Sequence, residues 1–227
     1  MILAFVAAVA AQAPTAACPN LVTPQAFVCR ALQASNAGNP DAAAQAFEQA
    51  AAAQSDEAEK AKSWAAAGNM WIAANQPGKA ALALDKALTG TGLQAEQRGE
   101  ALLDRARAAE AQNDLPTARS KVTEAARTIS DDPFLWYFSA ALGIRENDAV
   151  TAKAAIGRAL TLEPNNPTIL FEAGHVYQFA GDLAAARDYW SRASAVDPNG
   201  KSGQAAREAL KMLPAPAVTK VPDQPRS

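Results

Sequence analysis

The feature that most constrains this chain is a repeat, because several kinds of residue recur every 34 positions in its C-terminal half. Alanine matches alone would be weak support in so alanine-rich a sequence, but prolines, turn residues and bulky side chains keep the same step. The series are Pro198 and Pro164; Gly181, Asn147 and Asn113; Trp190, Ile156 and Val122; Ala186, Ala152 and Ala118; and Ala193, Ala159 and Ala125. A period of this length indicates an array in which one small supersecondary unit stacks on the next.

Two further units precede these, with a few inserted residues. The second has Trp64, Gly68, Trp71, Ala80, Leu84 and Ala87 where the last has Leu170, Gly174, Tyr177, Ala186, Trp190 and Ala193, and the first has Phe27, Ala31, Ala34, Ala43, Phe47 and Ala50. Five units are therefore predicted, beginning near residues 24, 61, 99, 133 and 167. The extra residues of the first two steps lie in "SDEAEK" and "TGTGLQ", where we expect a lengthened helix start or turn.

Composition and local signals predict that each unit is a pair of antiparallel helices. Alanine has the highest helix propensity, and β-branched residues are few. In the last unit, Gly181 can take the left-handed conformation that ends a first helix, and Asp182 can cap the second. Pro198 has no amide hydrogen and disfavours helical geometry before it, so the second helix should end there. Gly174 would then let the two helices approach closely, with Trp190 filling the space beside it.

At these positions the chain resembles the tetratricopeptide repeat family. That family's pattern has a bulky residue, then Leu-Gly, an aromatic residue, Ala, an aromatic residue, Ala and Pro at the spacings just given. The resemblance covers about residues 24–200 and is most complete in the last unit. The fourth and third units depart from it at the first aromatic position, where Gly143 and Ala109 stand, and the third has Ser130 in the proline position. The resemblance implies an all-α fold, a right-handed superhelical solenoid of about five helix hairpins.

The C-terminal residues are predicted to close this array. Residues 201–213 have the pattern of an amphipathic helix, which would shield the open end of a solenoid as a capping helix. Its inward residues are expected to be Ala205, Ala209 and Met212, and its outward residues Arg207, Glu208 and Lys211. Residues 214–227 contain four prolines and few apolar residues, so we expect a disordered or polyproline tail.

The N-terminal residues favour export. Ile2 to Ala13 is an uncharged, mostly apolar run that is too short to span a membrane. With the small residues Ala11 and Ala13 as a cleavage site, residues 1–13 are interpreted as a signal peptide, and residues 14–23 as the N-terminal segment of the mature chain. No Lys or Arg precedes the run, and the alternative is an apolar first helix docked on the domain. The first interpretation predicts a periplasmic or otherwise exported protein.

The chain has two cysteines, Cys18 and Cys29, both near the start of the predicted mature protein. An even count in an oxidising compartment favours a disulfide. The sequence "TAAC" at residues 15–18 also loosely resembles a lipoprotein signal, which would make Cys18 a lipidated first residue, although Thr15 stands where a branched apolar residue is usual. A third possibility is two unpaired thiols.

The sequence predicts neither a catalytic site nor a nucleic-acid partner. The formal charge of −2 and pI near 5.5 give no basic surface for phosphate neutralisation. The segment "QPGK" at residues 76–79 is better interpreted as a turn than as a phosphate loop. The one histidine, His175, is interpreted as a surface or packing residue without a catalytic or metal-ligating neighbour. We therefore expect no enzyme activity, no metal and no cofactor.

The resemblance implies a concave face lined by the first helix of each unit, at its second, fifth, ninth and twelfth positions. The partner-binding residues expected there are Asn69, Glu100, Leu103, Arg107, Glu110, Phe134, Tyr137, Ile144, Phe171, His175 and Gln178. An exposed cluster of Phe134, Tyr137 and Phe171 would mark an interaction site, unless the capping helix or the tail covers these rings.

Together these features predict a non-catalytic scaffold of the cell envelope that binds a peptide or protein segment on its concave face. The alternative is a membrane-tethered assembly factor anchored through a lipidated Cys18. Neither hypothesis includes a membrane span.

Overall fold

The computed structural model describes residues 17–214, so the predicted signal peptide and the tail from residue 215 onward lie outside the described residues. Within residues 17–214 the chain forms eleven α-helices and no strand. The helices are α1 Pro24–Asn36, α2 Pro40–Ala53, α3 Glu57–Ala73, α4 Pro77–Leu88, α5 Ala95–Ala111, α6 Leu115–Ala125, α7 Pro133–Arg145, α8 Ala149–Leu162, α9 Pro167–Phe179, α10 Leu183–Val196 and α11 Lys201–Met212. The predicted all-α class is confirmed.

The helices stack as hairpins in chain order. Each helix packs against the next, and the first helices of neighbouring hairpins also touch, α3 against α5, α7 against α9 and α9 against α11. Four apolar clusters follow one another along this stack, and each joins helices that are close in sequence. The first helices therefore lie side by side on one face, which is the arrangement that the predicted hairpin array requires.

The five hairpin turns share one geometry. Each has a residue in the left-handed region, with φ between 56° and 82°; these residues are Gly38, Asn75, Asn113, Asn147 and Gly181. In the last turn the following residue, Asp182, donates its N–H to the carbonyl of Tyr177 at 2.9 Å, as in a Schellman motif. The Asp182 side chain accepts from the amide of Ala185 at 3.0 Å and so caps the second helix. Gly181 thus ends one helix and Asp182 caps the next, as the sequence predicted.

Two of the second helices end at the same distance before a proline. Helices α8 and α10 end two residues before Pro164 and Pro198. In the third unit Ser130 occupies this position, and α6 ends five residues earlier, at Ala125. The inserted residues lie where first helices are long, since α3 and α5 have 17 residues while α1, α7 and α9 have 13. The segment "SDEAEK" includes the lengthened start of α3, and "TGTGLQ" forms the lengthened turn between α4 and α5.

Glycines bring the helices of a hairpin into close contact. A Cβ at Gly174 would overlap the indole of Trp190, a side chain that is 1% exposed and donates its Nε1–H to the carbonyl of Phe171 at 3.0 Å. Gly143 has a related role, because a Cβ there would lie 2.9 Å from the backbone nitrogen of Ala152. The missing aromatic residue in the fourth unit is thus explained by close approach of α7 and α8.

The last helix, α11, packs beside α9 as a further first helix would. The hydroxyls of Thr168 and Ser202 are 3.0 Å apart, and they occupy matching positions 34 residues apart in sequence. The predicted inward orientation is wrong for Met212, which is 84% exposed. The helix instead buries Gly203 and Ala206, because its contact with α9 and α10 is centred on that side.

The segment before α1 is fastened to that helix. Cys18 and Cys29 form a disulfide with 5.7 Å between their Cα atoms. Arg30 donates to the carbonyls of Pro19 at 2.8 Å and Leu21 at 3.1 Å. The N-terminal end of the stack is therefore closed by a covalent loop with added hydrogen bonds.

Candidate binding surface

Ten of the eleven predicted partner-binding residues have exposed or half-buried side chains on the first helices. The prediction is wrong for Leu103, which was expected on the accessible concave face. It is only 5% exposed and belongs to the apolar cluster that contains Leu135 and Leu142 of α7. The following hairpin covers it, so Leu103 supports the surface from behind.

The first part of this surface is the α3–α5 groove, an open depression of about 380 Å³ between those helices. Its lining residues are Lys62, Ala65, Ala66, Asn69, Leu93, Gln97, Glu100, Ala101 and Asp104. Asn69 donates to Asp104 Oδ2 at 2.8 Å, and Arg107 pairs with Asp104 Oδ1 at 2.9 Å. The polar groups at Asp104 are thus already satisfied within the protein.

Glu100 is the least stabilised charge of the α3–α5 groove. Burial raises its pKa, and the nearby carboxylates of Glu96, Asp104 and Asp132 raise it further. The side chain remains exposed, so water offsets much of this unfavourable environment.

The junction between α5 and α7 is held by arginines. Arg145 forms an ion pair with Glu110 and donates through Nη2 to Asn113 Oδ1 at 2.9 Å. Arg107 lies 5.9 Å from the centre of the Phe134 ring. Two of the predicted charged contacts, Arg107 and Glu110, therefore have partners within the chain.

The second part of the surface is the α7–α9 groove, an open depression of about 540 Å³. Its lining residues are Ala141, Ile144, Arg145, Glu172, His175, Gln178 and Phe179. Three of the predicted residues, Ile144, His175 and Gln178, come together here. The exposed surface of its walls is mostly apolar, and more so than that of the α3–α5 groove.

Glu172 is a half-buried carboxylate in this groove. Burial alone raises its pKa from 4.5 to about 7, and no neighbouring charge or hydrogen bond opposes that effect among the residues the structure describes. The α7–α9 groove therefore contains an acidic group that is only partly ionised at neutral pH.

His175 lies edge-on to two rings. Its ring centre is 4.6 Å from that of Phe171 and 5.2 Å from that of Trp190. Burial lowers its pKa, which favours the neutral imidazole. These contacts agree with its interpretation as a packing residue.

The predicted aromatic cluster is divided in the structure. Phe134 is 45% exposed, and its ring lies tilted against that of Tyr137 with 5.2 Å between the ring centres, while Tyr137 is half-buried. Phe171 instead packs against the apolar cluster that joins α9, α10 and α11. The capping helix thus covers part of Phe171, while Phe134 is exposed and Tyr137 is partly covered by the cluster that joins α7, α8 and α9.

Solved structures share this arrangement. The chain superposes on PilW, described as a widely conserved type IV pilus biogenesis factor, with a TM-score of 0.68 at 18% identity, covering 80% of this chain and 81% of PilW. For PilF of Pseudomonas aeruginosa the TM-score is 0.66 at 15% identity, covering 83% and 82%. For YrrB, described as a TPR protein with an unusual peptide-binding site, it is 0.61 at 16% identity, covering 82% and 91%. The chain adopts the tetratricopeptide repeat (TPR) fold. No protein-family model and no curated protein sequence matches it.

The TPR arrangement shows what sequence reasoning missed at the α7–α9 groove. Glu172 precedes His175 by three residues, so the two share one side of α9, and the sequence interpretation overlooked this carboxylate. The helical spacing alone predicts that Glu172 lies on the same side of α9 as His175. The sequence does not predict how far Glu172 is buried, because that depends on α7, a helix of the preceding repeat unit.

Two absences hold for residues 17–214, the part of the chain that the structure describes. No group of three metal-ligating side chains occurs there. No helix in that range is both long and apolar enough to cross a bilayer.

Proposed function

We propose that this protein is a non-catalytic scaffold that binds a peptide or protein segment along the face formed by α3, α5, α7 and α9. The observation that carries the proposal is the partly exposed Phe134–Tyr137 pair beside the mostly apolar α7–α9 groove. Exposed aromatic residues next to a groove are typical binding anchors. The peptide-binding site named for YrrB, a protein of the same fold, supports this assignment.

We also propose that the protein acts in the cell envelope. The apolar residues 2–13 suit an export signal, and a Cys18–Cys29 disulfide suits an oxidising compartment. The pilus biogenesis role named for PilW supports an envelope setting.

A lipid-anchored form is the second candidate, and the sulfur of Cys18 distinguishes it. That sulfur cannot be both in a disulfide with Cys29 and in a thioether to lipid. Mass measurement of the mature protein decides between them: a free N-terminus near Pro14 with oxidised cysteines supports the soluble form. An acylated Cys18 would replace it with the tethered form.

The binding surface is tested by display of random peptides against the folded protein. We expect the wild-type chain to enrich a peptide motif and the double variant Phe134→Ala with Tyr137→Ala to lose that enrichment. The matched control is Leu82→Ala, because Leu82 is 66% exposed on a second helix and lies outside both grooves. Helix content of all three proteins is followed by circular dichroism. Equal enrichment by the double variant would remove this surface from the proposal.

A further inference from the structure

The Glu172 carboxylate differs from those of Asp104 and Glu110 on the neighbouring first helices by what surrounds it. Glu100 has no ion pair within residues 17–214 either, but its side chain is exposed. Asp104 pairs with Arg107 at 2.9 Å, and Glu110 pairs with Arg145. Glu172 has no such cation, and its pKa is governed by burial alone within residues 17–214. The groove thus contains a carboxylate that forms no ion pair within the described residues.

The charged groups around the groove cannot supply that partner. On α7, Arg145 is engaged by Glu110 and Asn113. On α5, Arg107 is engaged by Asp104. On α9, burial favours neutral His175. The remaining titratable group is Tyr137, and both burial and the charge of Glu172 raise its pKa, so its hydroxyl stays protonated.

The other lining residues indicate which kind of side chain could bind beside Glu172. Ala141, Ile144 and Phe179 present apolar surface beside the carboxylate. A lysine or arginine side chain matches this arrangement, since its methylene stem can lie on apolar walls while its head reaches an acid. An acidic side chain would be repelled by Glu172, and a purely apolar one would leave the carboxylate buried without a partner.

We propose that the α7–α9 groove binds a lysine or arginine side chain of the partner segment, with Glu172 as its counter-ion. This inference rests on the proposed function, because it specifies the chemistry of the segment that the scaffold binds. Binding would supply the cation that the free protein lacks, and the apolar walls would strengthen the pair by excluding water.

The proposal predicts that binding depends on pH. Glu172 has a pKa of about 7 in the free protein, so its charge, and with it the attraction for a cation, grows as the pH rises through that value. Protonation of His175 at lower pH would act in the same direction, and the Glu172→Gln variant separates the two contributions.

The experiment uses the full chain and four pools of short acetylated and amidated peptides, random except for a central Lys, Arg, Gln or Glu. We expect the Lys and Arg pools to bind about tenfold more tightly than the Gln pool at about pH 8, and this preference to shrink at about pH 6. Glu172→Gln should abolish the preference for the Lys and Arg pools over the Gln pool. The matched control Glu163→Gln removes an exposed carboxylate outside both grooves and should retain the preference.

Carbon-13 titration of the Glu172 carboxyl provides a second readout. Its pKa should fall from about 7 when the Lys pool is added. Equal binding of the Lys, Arg and Gln pools would overturn the inference and leave the scaffold function intact, whereas no binding by any pool would contradict both. A Glu172 pKa already near its ordinary value in the free protein would mean that the carboxylate is well solvated or already paired. That result would overturn the assignment to a partner.

Discussion

The two grooves are built by the same repeat geometry but differ in how their acidic groups are paired. In the α3–α5 groove, Asp104 is satisfied by Asn69 and Arg107, at 2.8 and 2.9 Å. In the α7–α9 groove, Arg145 also lines the walls but pairs with Glu110, and Glu172 has no ion pair within the described part of the chain. A cation at Glu172 would form a new pair, whereas one at Asp104 would compete with the pairs already present. The same repeat geometry thus leaves the acidic groups of one continuous face in different states of pairing.

The largest expected loss of stability comes from truncating the buried side chain that lies behind each groove. Trp190→Ala should lower the free energy of unfolding by about 3–5 kcal/mol, and Leu84→Ala, at the matching position of the second unit, by about 2–5 kcal/mol. Both side chains are at most 1% exposed. Urea denaturation measures both losses.

These two variants should differ more clearly in peptide binding. Trp190 contacts His175 of the α7–α9 groove, whereas Leu84 packs at Gly68 behind α3. Under conditions where both variants are folded, we expect Trp190→Ala to weaken binding and Leu84→Ala to preserve it. Equal weakening would show that both grooves bind the same segment.

A smaller change in stability is expected on replacing either of the two carboxylates, Glu172 and Glu100, and the change should differ between them. Both have a raised pKa in the folded state, so each contributes stability that is present below its unfolded pKa of 4.5 and is lost as the pH rises through the folded value. Replacing Glu172 by Gln should therefore stabilise the peptide-free protein by about 1–2 kcal/mol near pH 8 and have little effect near pH 4. Glu100→Gln should have a weaker effect because that side chain is exposed.

Urea denaturation of wild type and both Gln variants at the two pH values provides the measurement. Glu163→Gln serves as a control for the loss of an exposed negative charge. If Glu172→Gln were no more stable than wild type near pH 8, the carboxylate would be better solvated or paired than the structure indicates.

The smallest effect concerns the helix caps behind the two grooves. Asp182 caps α10, but Gln76, at the matching position before α4, makes no capping hydrogen bond through its side chain. Asp182→Ala should cost about 1 kcal/mol, and Gln76→Ala should stay within about 0.5 kcal/mol of wild type. Thermal unfolding at fixed pH distinguishes the two, and a similar cost for both would mean that the Asp182 bond is replaced by water.

Local signals predicted most of the fold. The positive φ angles of Asn113, Asn147 and Gly181 fall at the predicted turns. These features could be predicted because each depends on interactions within a few residues of the chain, such as a left-handed residue followed by a cap.

The exposure of individual side chains was predicted less well. Leu103 was expected on the surface and is buried by α7, while Met212 was expected to be buried and is exposed. Glu172 was overlooked although the sequence places it three residues before His175. In each case the outcome depends on a helix of another hairpin, and the pattern within one hairpin does not specify how far that neighbour covers it.

The sequence by itself determined that the chain would fold as helix hairpins in a regular stack, because the 34-residue period, the turn residues and the close-packed glycines act within one unit. Only the tertiary structure decided which charges on the common face find partners. Those pairs join side chains from successive hairpins, as Asn69 with Asp104 and Glu110 with Arg145 do. The strength of an ion pair and the burial of a lone carboxylate both depend on distances between hairpins, and the repeat pattern leaves those distances open.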